Sequence, residues 1–600
     1  MGDHDISLRA AKRLRGDTMP HVPPPSSPTS TRVRLTLEAA PDAHPEAFFT
    51  DPRREHGWRV ALSWDASANL WHADILLPQE PTVLTYRFVL RDGSTIRERH
   101  QVEGEIEMLY GQWEERDFQI AVYDAGDTPP AWLPGTVFYQ IFPDRFAQGD
   151  PANIRKGTEY SRNPVYLNWD DTPEHPAKGR DFFGGDLRGV IGKLDYLADL
   201  GVTCIYFTPI FASPSNHRYD AIDYTLIDPR LGTEDDLREL ISEAGKRGIR
   251  VLFDGVFNHC SDDSIYFKEA QRSKESPYYR WFDFVHWPDR WMGWLGMRHR
   301  LTTLGIKTMP EFVECPEVEE FFFGEGGIAQ RWLAFGTAGW RTDVTPWITD
   351  EFWRRFRRAV RRAYPDAYLV AEDWENVPHR LVGDSFDATM NYRFGYSVLG
   401  FASGRLTPAE LDDRLETRRR DTPPLAFHAQ MNILGSHDTA RILTRLEGSK
   451  ERVIFATALQ LSYPGAPMIY YGDEAGIEGD YAESGRRPYP WGREDPQLLA
   501  FYRTAINARR GSPALSKGDV STAWIDDRGG YGFLRTYDGE RVLALFNNGD
   551  TPLEAAIHLG DITADGEAPD LLANLPAARI TDGTLHISIP PLGAGWFRLP

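Results

Sequence analysis

The sequence predicts an α/β protein, a (β/α)8 TIM barrel with an insertion after its third strand, flanked by N-terminal and C-terminal β-sandwiches. Three observations carry this. Between residues 136 and 515, eight short apolar runs recur: TVFYQIF, TCIYFTPIF, IRVLFDGVF, AGWRTDV, AYLVAED, DATMNY, HAQMNILGSHD and APMIYYGDE. Most follow a helical stretch such as DDLRELISEAGKRG or EFWRRFRRAVRRAY. Apolar runs alternating with helices read as parallel strands closing into a barrel. On either side the rhythm changes to strict apolar/polar alternation, the mark of half-buried strands. Finally, the interval between FDGVFNHC and AGWRTDV is too long for one helix and contains WPDRWMGWLGM, which predicts an inserted subdomain over about residues 257–312.

Taken in order, residues 1–29 are polar, end in HVPPPSSPTS and predict a disordered tail, because that composition cannot bury a core. Residues 30–123 contain TRVRLTLEAA, WRVALSW, LWHADILL and TVLTYRFVLRDG, the strands of the first sandwich. Residues 124–135, DAGDTPPAWLPG, are a linker, residues 136–515 the barrel, and residues 516–600 (GYGFLRTYDG, RVLALFNN, LHISIPPLGAGWFRL) the second sandwich.

Composition narrows the function. The formal net charge is −21, which argues against nucleic acid, since phosphate binding needs clustered Lys and Arg. No apolar run reaches the roughly 18 residues of a membrane span, and the basic N-terminus lacks the apolar stretch of a secretory signal. Three cysteines without CxxC spacing offer neither a disulfide framework nor a zinc site. A cytoplasmic protein is the simplest reading. Eighteen tryptophans are core by default, or platforms for flat apolar ligands such as sugar rings.

In such barrels the chemistry sits at the C-terminal ends of the strands. Strand three ends in Asp254, followed by Asn258 and His259; strand four in Arg341 and Asp343; strand five in Glu372; strand seven in His437 and Asp438. A strand-end carboxylate often only caps the next helix. Four acids, two histidines and an arginine at one end are harder to explain as caps, because carboxylates buried together raise one another's proton affinity. Retaining glycoside hydrolysis uses such a set: a carboxylate nucleophile and a carboxylic acid roughly 5–5.5 Å apart. Arg341 shares a strand face with Asp343 and can hold it ionised.

These residues resemble the α-amylase superfamily, glycoside hydrolase family 13. VFYQIFPDRFAQGDP resembles its first-strand segment, FFGGDLRGVIGKLDYLADLGVTCIYFTPIFASPSNHRYDAIDY its second-strand region, and FDGVFNHC, GWRTDV, AED and LGSHDT its ordered motifs. The preceding sandwich, VFNHC and LGSHDT point to the neopullulanase, cyclomaltodextrinase and maltogenic amylase branch. The resemblance implies that Asp343 is the nucleophile, Glu372 the general acid and then base, and Asp438 the stabiliser of the transition state. It implies that Arg341, His259 and His437 complete the −1 subsite, with Tyr219 as its stacking platform. Asp254 organises the site, Trp374 lines the +1/+2 side, and Arg486 grips the −1 and −2 sugars.

The match departs from the branch at four places. After the nucleophile, Val-Ala-Asn-Glu is replaced by Val344, Thr345, Pro346 and Trp347. Met-Pro-Lys-Leu-Asn is replaced by Met309, Pro310, Glu311, Phe312 and Val313. The Asp that partners Arg486 is Ala482, with Asp480 or Glu483 as substitutes. Some relatives bind calcium after the first strand. Here the loop offers Gln148, Asp150, Asn153 and Ile154, with Gly184 and Asp186 further on. Calcium wants six to eight oxygens, so two readings stand open: a calcium site without a required cofactor role, or a loop tied down by its own polar groups.

The expected activity is retaining cleavage of α-1,4 bonds in cyclodextrins, maltooligosaccharides and pullulan or starch. The alternatives are a transglycosylase or isomerase using the same nucleophile, and a non-catalytic glucan-binding protein. The branch also implies a homodimer through the N-terminal domain.

Overall fold

The computed structural model describes residues 21–101, 112–175, 178–294 and 306–600. The first domain is two facing sheets. One pairs Ser27–Pro28, Phe118–Tyr123, Thr82–Val89, Glu46–Thr50 and Trp58–Ala61 in that order, and the other Arg32–Leu37, Leu70–Leu76 and Ser63–Asp65. Alternation does the sorting: Leu35, Leu37, Phe49, Trp71, Tyr86 and Phe88 fill the interior while their neighbours face water. Trp71 is therefore a core residue, and Trp58 and Trp64 pack against the same core.

The disordered tail expected over residues 1–29 is corrected for its last part; residues 1–20 lie outside the described residues. Ser27 and Pro28 pair in parallel with Val122 and Tyr123. His21 is buried, with its ring edge-on to Phe88 at 4.7 Å and Phe118 at 4.8 Å, and its Nε2 lies 2.5 Å from the Tyr86 hydroxyl. Composition misled because one imidazole inserted among aromatic rings anchors a segment otherwise poor in apolar residues. Proline is tolerated there because an edge strand need not donate on its outer side.

The linker lies against the barrel floor. Trp132 donates to the Asp366 carbonyl at 3.0 Å and Leu133 is buried. The barrel is closed by eight parallel strands, β1 (Phe138–Ile141), β2 (Cys204–Phe207), β3 (Arg250–Gly255), β4 (Gly339–Thr342), β5 (Tyr368–Ala371), β6 (Ala388–Asn391), β7 (Met431–Ile433) and β8 (Ala466–Tyr470). Successive residues divide between two cores. Phe138, Tyr206, Leu252, Tyr368, Val370, Met390 and Met468 pack together inside the barrel. Ile141, Phe207, Phe253, Trp340 and Leu369 pack outward under the helices. The same period of two sends Asp254, Arg341, Asp343 and Glu372 to the inner face at the C-terminal mouth.

The insertion leaves β3 and returns through a narrow neck, where His259 bridges Glu311 and Phe312 donates to the Asn258 carbonyl at 2.9 Å. Within it, helix Ile265–Arg272 and short hairpins pack around Phe267, Phe282 and Trp291. Helices Pro316–Phe323 and Ile328–Leu333 then lead to β4. Among the described residues no helix is long and apolar enough to cross a membrane.

The C-terminal domain is two four-stranded sheets. The sheet of Asp519–Asp526, Gly530–Tyr537, Glu540–Asn547 and Gly593–Arg598 rests on helix Lys450–Ser462, with Phe546 against Phe455. Two arginines cap that helix end through backbone carbonyls. Arg535 donates to the carbonyls of Ser462, Gly518 (2.7 Å) and Asp519 (3.2 Å), and Arg509 to those of Leu461 (2.7 Å), Tyr463 (3.1 Å) and Gly465 (2.5 Å). Both are fully buried, and burial pushes Arg509 down to about 9. Helix carbonyls left buried without a donor cost about 1–3 kcal/mol each. Arg535→Met should therefore lower stability by about 3 kcal/mol, read as an earlier urea transition at pH 7, with no change in substrate specificity.

Candidate active site

The mouth is organised around Arg341. Its position on β4 places it inside, fully buried, where one guanidinium meets three carboxylates. Nη1 lies 2.8 Å from Asp254 Oδ1 and 2.8 Å from Asp343 Oδ1, and Nη2 lies 2.9 Å from Glu372 Oε2. The strand register explains the convergence: Asp254 is the β-partner of Arg341, and Asp343 and Glu372 follow their strands by one residue. One cation cannot neutralise three buried anions. Burial, then the neighbouring Glu372 charge, raises Asp343 well above the usual carboxylate range despite Arg341. Burial pushes Asp254 up to about 6.

The backbone adds a donor. Val344, next after Asp343, has φ +42°, in the left-handed region that a β-branched side chain rarely adopts. This turns its N–H onto Glu372 Oε2 at 2.8 Å. The Glu372 carbonyl accepts from Thr345 Oγ1 at 2.6 Å, locking the ends of β4 and β5 together. Glu372 Oε1 meets the Trp374 indole N–H at 3.3 Å.

The opposite wall is a neutral hydrogen-bonded chain. Gln140 Nε2 donates to His437 Nδ1 at 2.9 Å in the tautomer whose ring proton is on Nε2, and that Nε2 faces the Tyr219 hydroxyl at 2.6 Å and Asp438 Oδ2 at 3.1 Å. Tyr219 then donates to Asp254 Oδ2 at 2.9 Å, beside Tyr206 at 2.6 Å. Burial, reinforced by Arg486 and Arg341, pushes His437 well down and keeps it uncharged. Burial pushes His259 down to about 3, and its Nε2 meets the Tyr219 carbonyl at 3.0 Å. Tyr219 lies parallel to His437, 2° between planes at 5.2 Å. Asp438 is half-buried, the most accessible of the acids at the mouth.

Arg486 reaches this wall, with Nη2 3.4 Å from Asp438 and Nε donating to the His437 carbonyl at 2.9 Å. Of the two expected substitutes for its partner, Asp480 is exposed, while Glu483 is buried beneath the loop. Glu483 pairs with Arg145 Nη2 at 2.8 Å, accepts from Asn216 at 3.3 Å and lies 3.7 Å from Arg486. It thus anchors the loop from below. Trp347 ends a 3-10 turn, Thr345–Trp347, and is half-buried.

The residues considered for calcium do come together, but their donors are spent. Asp186 accepts from Gly189 N, Asp150 N and Asn153 Nδ2 at 2.7, 2.9 and 2.8 Å. Asn153 Oδ1 accepts from Lys156 Nζ at 2.5 Å, and Lys156 lies 3.9 Å from Asp150. The Ile154 side chain packs on Gly184. An amide turned N–H inward, an ammonium and a sec-butyl group do not make an oxygen cage for calcium.

Several residues at the site escaped the sequence reading: Gln140, Tyr206, the Val344 N–H and Tyr392. Gln140 and Tyr206 carry a usable signal, since both are polar residues at inner positions of apolar strands. A backbone N–H carries none.

The family model described as alpha amylase, catalytic domain, matches residues 140–491. Neopullulanase 2 of Thermoactinomyces vulgaris is 35% identical over 87% of this chain and 88% of its own length. The amylopullulanase of Thermoanaerobacter thermohydrosulfuricus is 34% identical over 89% of this chain, which spans only 41% of that longer protein. A solved cyclomaltodextrinase is 30% identical with a TM-score of 0.72, covering 96% of this chain and 99% of its own. With the barrel, the ordered motifs and these matches in agreement, the chain belongs to the α-amylase family, glycoside hydrolase family 13, in the branch of neopullulanases, cyclomaltodextrinases and maltogenic amylases.

Proposed function

We propose that this chain is a retaining α-glucan hydrolase that cleaves α-1,4 bonds of cyclodextrins and maltooligosaccharides, with pullulan or starch as further substrates. The observation that carries it is the pair Asp343 and Glu372 on neighbouring strand ends, bound to one guanidinium. In this reading Asp343, held on Arg341, attacks the anomeric carbon. Glu372 delivers a proton to the departing oxygen, then removes one from water. Arg341 and Val344 N–H both occupy Glu372 Oε2, which leaves the proton on Oε1. Asp438 and His437 hold hydroxyls of the −1 sugar, Tyr219 stacks beneath it, and His259 fixes Tyr219 through its carbonyl. Asp254 braces Arg341.

The test is parallel incubation with β-cyclodextrin, soluble starch, pullulan and maltotriose, with product anomers followed by proton NMR. Cyclodextrin consumed ahead of starch, with α-anomers released first, is the expected result. β-Anomers appearing first would refute retention. A sugar acceptor outcompeting water, visible as products longer than the substrate, would favour the transglycosylase reading. The Val344-Thr345-Pro346-Trp347 turn, which sets an indole rather than a carboxylate after the nucleophile, supports keeping that alternative. Light scattering on the same sample reads the homodimer expected of the branch.

The same proposal includes independence from calcium, with the Lys156 ammonium standing where a cation would. EDTA or millimolar calcium should leave the thermal midpoint unchanged. Ile154→Asp with Lys156→Ala, which restores an anionic ligand and removes the ammonium, should create a calcium-dependent rise in the same scan.

A further inference from the structure

We infer that Trp374 is a positioning residue for the general acid, and that its indole N–H, rather than its apolar face alone, is what the site uses. The inference rests on the reading of Glu372 as that acid.

One cation and two hydrogen-bond donors address the Glu372 carboxyl, and they are not equivalent. Both contacts on Oε2 are made from the β4 side, the Arg341 guanidinium as an ion pair at 2.9 Å and Val344 N–H as a hydrogen-bond donor at 2.8 Å. Among the described residues, Trp374 Nε1 is the hydrogen-bond donor directed at Oε1, at 3.3 Å. The oxygen that must carry and release the proton is therefore the one the indole addresses. A protonated oxygen accepts a hydrogen bond weakly, and a carboxylate oxygen accepts it strongly. The contact tightens as the proton leaves for the glycosidic oxygen, so it favours the transition state over the ground state.

The ring is held for this task. Trp374 stacks on Tyr392 with centroids 4.0 Å apart and planes 13° from parallel. Tyr392 is buried at the start of helix Tyr392–Ala402. Its hydroxyl lies 3.0 Å from Ser436 Oγ, which in turn accepts from Asp438 N at 3.2 Å. An indole pinned face-down on a buried tyrosine cannot rotate its N–H edge away from Glu372 without losing that stack. The same chain of contacts ties the general acid to the loop that carries Asp438.

Leaving-group dependence tests this. Trp374→Phe keeps an aromatic ring and the stack but removes the N–H. kcat/KM is compared on maltotriose, whose leaving oxygen needs a proton, and on α-maltosyl fluoride, whose fluoride leaves without one. Both rates come from one preparation, so their ratio is independent of the folded fraction. The expected result is a fall of about tenfold or more on maltotriose, the scale of a hydrogen bond to a charged group, with the fluoride nearly unaffected. Glu372→Gln is measured alongside and should show the same selectivity more strongly. Equal losses on both substrates for Trp374→Phe, or no loss on either, while Glu372→Gln stays selective, would overturn the positioning role and leave the acid assignment standing. A Glu372→Gln variant without selectivity would overturn the acid assignment itself.

Discussion

Asp343→Gly should abolish turnover of β-cyclodextrin and maltotriose, a loss of about 10⁴-fold or more, because no other group at the mouth attacks the anomeric carbon from that side. The side chain is a small part of the fold. It lies at the end of β4, and its backbone N–H already donates to the Gly255 carbonyl at 3.0 Å. Removing it also relieves crowding of negative charge on Arg341, so the variant should fold at least as stably as the parent. Added azide separates a nucleophile from a merely structural carboxylate. In the space left by Asp343, azide should attack α-maltosyl fluoride and yield the β-glycosyl azide, identified by NMR. A variant that folds, stays inactive and gives no azide adduct would remove Asp343 from the nucleophile's role.

Arg341→Met should be the most destabilising single change at the site. The arginine is fully buried, and its loss strands Asp254, Asp343 and Glu372 without a cation. Breaking a buried ion pair from one side costs about 3–5 kcal/mol. The pH dependence gives the effect a sign. Burial raises Asp254 to about 6, above the usual carboxylate range, even with Arg341 present. A carboxyl raised in the folded state contributes stability that is full below its unfolded value and lost as pH rises through its folded value. Without the guanidinium the folded value rises further, so the deficit should be large at pH 7 and should shrink at pH 5, where Asp254 binds a proton. Urea unfolding at both pH values reads it. A deficit independent of pH would mean that Arg341 matters through packing and not through charge.

Much of this site is legible in the chain because β-strands impose a period of two. Once GWRTDV is recognised as a strand, Arg341 and Asp343 must share a face, and the same argument places Asp254 and Glu372. The helices between strands confirm the barrel, and the barrel puts all strand ends at one mouth. Contacts that depend on loops were less legible. Glu483 and Asp480 are equally plausible partners for Arg486 in sequence, yet one is buried against Arg145 and the other faces solvent. Trp374 reads as a groove aromatic, and only its stack on Tyr392 shows where its N–H points. The loop after β1 reads as an incomplete calcium site until Lys156 is seen donating into it.

The sequence by itself determined the barrel, its flanking sandwiches and the acids at the strand ends, since local periodicity decides which side chains face the interior. Only the tertiary structure decided that three carboxylates share one guanidinium, that a strained Val344 gives its N–H to Glu372, and that His21 ties part of a polar leader into an aromatic core. Those outcomes are distances between strands and loops far apart in the chain. They are set by how the barrel closes and by which groups burial forces to find a partner, and no local pattern encodes either.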